Sequence, residues 1–159
     1  MRLALAAFFF LGAFLAAFFF GAFLLAFFAA AFFLGARRAG FRTARGTNNA
    51  RAVTVPALER LGLAALLDLV VTRDDMRALK PDPDGWRVIA RHFSVTDAAF
   101  VVGDSWVDGL AAAAAGVPFV AYRAKDEDLA RWGVTPVARL ADLAHLPDWL
   151  AARPSGALR

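Results

Sequence analysis

From Leu3 to Ala36 the chain shows no polar position at all, only Phe, Leu, Ala and Gly for 34 residues. The apolar side chains favour no single face, so the run is not an amphipathic surface helix; its all-round hydrophobicity predicts an apolar helical segment. About 20 apolar residues span a bilayer, so this length allows a steeply tilted span or a tight hairpin near Gly21. It is far longer than the ~7–15 apolar residues of a cleaved signal peptide. Arg37, Arg38, Arg42 and Arg45 follow it and would hold the next domain on the cytoplasmic side. Two other readings stand beside the anchor. The segment is a buried helix, or it is an artefact of an incorrect reading frame or start site, which would also set a four-letter alphabet against an ordinary sequence. The chain thus divides into 1–36, an apolar segment, and 37–159, a folded domain.

Beyond Arg37 the pattern becomes that of an α/β protein. Residues 40–47 read as a strand, although their arginines make it a poor central one. A helix is expected over 50–61, with Pro56 as an irregularity inside it. Residues 67–72 (LDLVVT) read as a strand, and 84–93 as a helix after the breaker Pro81-Asp82-Pro83. The apolar run from Ala99 to Val102 predicts a buried parallel strand ending at Gly103. An Ala-rich helix through Leu110–Ala115 stops at Gly116, and 117–122 form the next strand. A helix over 125–132, a short extended piece at 135–138 and a last helix over 140–152 complete the series. Alternating strands and helices predict a Rossmann-like, doubly wound parallel sheet.

Length and charge narrow the function. The 159 residues suffice for one domain with a core, and the absence of cysteine rules out disulfide or thiol chemistry. The net charge of +4 is uneven: residues 1–58 carry six basic groups and no acid, whereas 59–159 carry twelve basic and fourteen acidic groups. The domain proper is therefore slightly acidic. With no aromatic-interleaved basic patch and no zinc spacing, nucleic acid is not an expected partner.

The candidate chemistry gathers at predicted strand ends, where open α/β sheets place their ligands. In VVGDSWVDGLAAAAAG, Asp104 ends a strand and Asp108 lies in the first turn of the next helix, within reach of Asp104. Two close carboxylates repel unless a cation or proton joins them, and hard oxygen ligands suit Mg²⁺ carrying a phosphate. The plainer alternative is that Asp104 caps the helix and Asp108 favours its positive end. Thr47 and Asn48 end the first predicted strand and offer a hydroxyl, an amide and backbone N–H groups to a phosphate; they also suit a helix cap. Lys80, in a loop, would neutralise a phosphoryl group or is simply solvated. His92 and His145 lack any triad pattern, and Trp106, beside the acidic pair, reads as packing like Trp86, Trp132 and Trp149.

The stretches GTNNARAV with LERLGL, VVTRDD…KPDPDGW and FVVGDSWVDGLAAAAAGVPFVAY resemble the haloacid dehalogenase (HAD) superfamily of phosphohydrolases, especially its phosphoglycolate-phosphatase-like branch. The resemblance covers about 37–150. It implies that Thr47 is the phosphate-binding hydroxyl, that Lys80 steadies nucleophile and phosphate, and that Asp104 and Asp108 are the acidic pair, with Asp104 the direct Mg²⁺ ligand. It implies hydrolysis of small phosphate esters through an aspartyl-phosphate. The nucleophile comes from a DxDxT motif on the first, central strand, yet this chain has no Asp or Glu before Glu59. The cap domain inserted after that motif is missing as well. The expectation is an incomplete HAD-like core, truncated or misread, with very weak or no phosphatase activity. The alternatives are a membrane-anchored, non-catalytic domain binding phosphate or a partner, and a generic Rossmann-like binding module.

Overall fold

A computed structural model describes residues 6–10, 30, 33–38, 40–94 and 99–151. Six parallel strands form one sheet in the order β3-β2-β1-β4-β5-β6. They are β1 (Ala6–Phe10), β2 (Arg42–Gly46), β3 (Leu69–Val71), β4 (Phe100–Gly103), β5 (Phe119–Tyr122) and β6 (Ala138–Leu140). The helices are α1 (Arg51–Arg60), α2 (Asp84–Phe93), α3 (Trp106–Ala114), α4 (Asp126–Arg131) and α5 (Leu146–Ala151).

Side chains alternate across the strands and divide the core into two layers. Phe100 and Val102 of β4, with Val120 and Tyr122 of β5, pack with Phe33, Leu58 of α1, Leu143, and Leu146 and Leu150 of α5. Val101, Phe119 and Ala121 face the opposite way, against Ile89 of α2, Ala112 of α3 and Leu129 of α4. Helices therefore cover both faces, and every residue of β4 and β5 is buried. This explains their uninterrupted apolar character. The connections leave one edge, where the strands end at Gly46, Val71, Gly103 and Tyr122, to hold the loops.

The apolar segment departs from the helix expected of it. Ala6–Phe10 is a strand, and it lies at the centre of the sheet, with Ala6 opposite Arg42, Ala7 opposite Phe100 and Phe10 opposite Gly103. Without it β2 and β4 would each present a row of unpaired backbone groups. An unbroken apolar run satisfies a doubly covered central strand as well as a helix, so hydrophobicity alone does not separate the two. Residues 33–38 are helical, and Phe33 and Ala36 are buried in the core. No helix among the described residues is long and apolar enough to cross a membrane. Most of the expected membrane segment, 11–29, lies outside them.

The expected elements from 40 to 132 are present. Pro56 sits inside a continuous α1. Near the end the expectation fails: Leu140 does not open a helix but ends β6, paired with Tyr122, and Asp142 then caps a short 3₁₀ turn that leads into α5.

Candidate phosphate site

The strand-end residues meet at the carboxyl edge of β2, β1 and β4. Thr47 follows β2; it is buried, its N–H donates to the Val71 carbonyl at 2.9 Å, and its Oγ1 accepts from the Asn49 N–H. Asn48 holds the Lys80 backbone from both sides: its Oδ1 accepts from the Lys80 N–H at 3.0 Å, and its Nδ2 donates to the Lys80 carbonyl at 3.2 Å. The Asn48 amide thus positions the lysine loop. The N-cap of α1 is Ala50, with no side-chain cap, so neither Thr47 nor Asn48 serves that helix.

Lys80 points inward. Its Nζ donates to Asp108 Oδ1 at 2.8 Å, with the side chains only 10% and 2% exposed. Burial pushes the Lys80 ammonium down to about 8, against the pull of Asp108. Asp108 is held on its other oxygen by Ser105, whose Oγ and N–H donate to Oδ2 at 2.9 and 3.2 Å. This is a capping box, with Ser105 as N-cap of α3 and Asp108 as its third residue. Asp108 therefore reaches back to Ser105, and both its oxygens accept from protein donors. Gly103 makes the approach possible: a Cβ there would lie 2.5 Å from that of Asp108.

Asp104 continues β4 into this edge and acts electrostatically on Arg45, Lys80 and Tyr122. Arg45 is the residue the motifs do not reveal. Burial lowers its guanidinium below the ordinary value, opposed first by Asp104 and then by Asp108, and its Nε is buried without a hydrogen-bond partner. The signal for it was the presence of arginine in a strand that proves to be flanked on both sides. Among the described residues no three His, Cys, Asp or Glu side chains cluster where they would hold a metal. The described part of β1 ends at Phe10 beside Gly103 and brings no acid to the edge.

Residues 35–122 match the family described as haloacid dehalogenase-like hydrolase. A phosphoglycolate phosphatase of Cupriavidus necator is 43% identical over 88 residues, which are 55% of this chain and 38% of that protein. A phosphoglycolate phosphatase of Rhodospirillum rubrum is 39% identical over 114 residues, 69% of this chain and 46% of that one. The chain spans less than half the length of either. Among solved structures, a HAD-superfamily hydrolase (subfamily IA, variant 1) from Geobacter sulfurreducens matches with a TM-score of 0.63 at 29% identity, covering 77% of this chain and 53% of that one. A predicted phosphoglycolate phosphatase from Haemophilus somnus, at 21% identity and a TM-score of 0.67, shares the fold over 75% of this chain and 54% of that one. With the family match over more than half its length, the chain belongs to the haloacid dehalogenase-like hydrolases.

Proposed function

We propose that this chain binds the phosphate group of a small phosphorylated compound at the carboxyl edge of its sheet, and that it hydrolyses phosphate esters very weakly or not at all. The observation that carries the reading is the buried Lys80–Asp108 pair, at an edge where Thr47 ends β2 and whose central strand, as far as it is described, brings no carboxylate. A buried ammonium, the Thr47 hydroxyl and the N-terminus of α3 provide donors and positive potential for an oxyanion. HAD phosphatases generally use Mg²⁺, which when bound offsets charge on the phosphoryl group. Here the phosphate contacts rest on the chain's own donors, with Asn48 fixing the loop that carries Lys80. An aspartyl-phosphate needs a carboxylate nucleophile aligned with the phosphorus, and no acid precedes Glu59. The two phosphoglycolate phosphatases support a small phosphorylated ligand.

The test pairs binding with turnover. Inorganic phosphate is expected to raise the melting temperature of the full chain, and Lys80→Met is expected to abolish that rise. Release of phosphate from 2-phosphoglycolate is expected to stay at the level of the Lys80→Met variant. Turnover well above that level, or a phosphate effect unchanged in Lys80→Met, would overturn the reading.

A further inference from the structure

The lysine loop is turned against its hydrophobicity. Leu79 is 39% exposed and Pro81 is exposed, whereas the Lys80 side chain between them is 10% exposed. Water favours the reverse, since burying an aliphatic side chain is favourable and burying an ammonium is costly. The Asp108 carboxylate holds the far end of the lysine, at Nζ. It does not set the backbone, because a long flexible stem reaches one point from many backbone positions.

The flanks of the loop are fastened elsewhere. The Arg73 N–H donates to the Asn49 carbonyl at 3.1 Å, the Arg77 N–H to Asp84 Oδ2 at 2.6 Å and the Asp82 N–H to the Leu79 carbonyl at 3.0 Å. The bonds from Asn48 fall on residue 80 itself: Oδ1 accepts from its N–H at 3.0 Å and Nδ2 donates to its carbonyl at 3.2 Å. That N–H and that carbonyl belong to the two peptide planes on either side of the Lys80 Cα. Fixing both planes fixes φ and ψ of residue 80, and with them the direction of its side chain. An amide offers a donor beside an acceptor, and the observed orientation is the one in which each meets its complement. Both polar atoms of the Asn48 side chain are thereby engaged on the chain, and a phosphate would have to share them with residue 80.

We propose that Asn48 is a positioning residue and not a phosphate ligand: its amide holds the loop inside out, with Lys80 facing the site and Leu79 facing water, before any ligand arrives. The use made of the lysine rests on the phosphate-binding reading above; the role of Asn48 in turning it inward does not.

Lys80 and the exposed Lys125 are the only lysines in the chain, so Lys125 serves as an internal reference. The full chain is acetylated briefly with sulfosuccinimidyl acetate, without phosphate, and both lysines are quantified by peptide mass spectrometry. Lys80 is expected to label far more slowly than Lys125 in the wild type. Two hydrogen bonds of this kind together bias a loop by about tenfold or more, so Asn48→Ala is expected to raise the ratio of Lys80 to Lys125 labelling at least about tenfold. Asp68→Ala, which loosens the start of β2 and leaves the loop alone, is expected to keep the wild-type ratio. An unchanged ratio in Asn48→Ala overturns the proposal. An equal rise in Asp68→Ala overturns it too, because general loss of stability then accounts for the labelling. If Asn48→Ala does not fold, hydrogen exchange of the wild type decides: the Lys80 amide is expected to exchange more slowly than that of Leu79, and equal rates overturn the proposal. The rise in melting temperature with inorganic phosphate is expected to shrink in Asn48→Ala. If phosphate has no effect on the wild type, the binding reading falls, while the labelling ratio still decides what Asn48 does.

Discussion

Lys80 sits where two demands conflict. Burial favours the neutral amine and Asp108 favours the ammonium, and burial prevails enough to bring the group to about 8. The folded value lies below the ordinary 10.5, so between the two the unfolded chain binds more protons. The cost of burying the charge is therefore complete below about pH 8, and stability rises as the pH climbs from there towards 10.5. Denaturant titrations at pH 7 and pH 10 are expected to show this gain in the wild type and not in Lys80→Met. Phosphate binding is expected to run the opposite way, weakening as the pH passes about 8 and the ammonium is lost. Removing the partner is more damaging than removing the pair. Asp108→Leu leaves a buried ammonium alone and is expected to cost about 3–5 kcal/mol, much of it recovered in Lys80→Met/Asp108→Leu, as urea unfolding of the single and double variants would show. The order of Thr47, Lys80, Asp104 and Asp108 along the chain, with the family resemblance, led to the expectation of one site, and the structure joins Lys80 to Asp108 at 2.8 Å. That order did not show which oxygen of Asp108 faces which donor, because that depends on Ser105 capping α3 and on Gly103 leaving room.

At the scale of elements, one acid ties β2 to the chain leading into β3. Asp68 accepts from the Thr43 N–H at 2.8 Å, from Thr43 Oγ1 at 3.2 Å and from Arg42 at 3.3 Å. Burial alone would raise its carboxyl, but these donors, together with Arg37, hold it below the ordinary carboxylate range. Its contribution to stability is therefore present above the ordinary value of 3.8 and is lost as the pH falls through the lowered one. Asp68→Ala is expected to cost about 1–3 kcal/mol at neutral pH in urea unfolding, with the deficit narrowing in acid. The helix over 84–93 was legible because Pro81-Asp82-Pro83 marks its start; the left-handed Ser94 that closes it, at φ 50°, is visible only in the structure. The piece around Leu140 was not legible. Its backbone pairs with Tyr122, and a strand of three residues carries too little alternation to be told from the start of an apolar helix.

The whole molecule has the HAD architecture over less than half the length of its phosphoglycolate phosphatase relatives. Fold class and site edge could be read from residues 37–150, since alternating elements fix a parallel sheet and a parallel sheet fixes where its loops gather. The strand inside the apolar run could not, because neither its partners nor its length is written in a uniform alphabet. That strand carries a consequence for assembly. With β1 in the middle of the order β3-β2-β1-β4-β5-β6, no other strand joins the left and right halves of the sheet. One of its two partners, β4, emerges only after residue 99. β1 acts as a keystone, and a keystone can be borrowed: until it seats, β2 and β4 form a slot that fits the same strand from another copy. Removing residues 1–12 should open that slot permanently and convert a single species into self-associating forms on size-exclusion chromatography. A monomer with an unchanged circular dichroism spectrum would show that the two halves hold together without it.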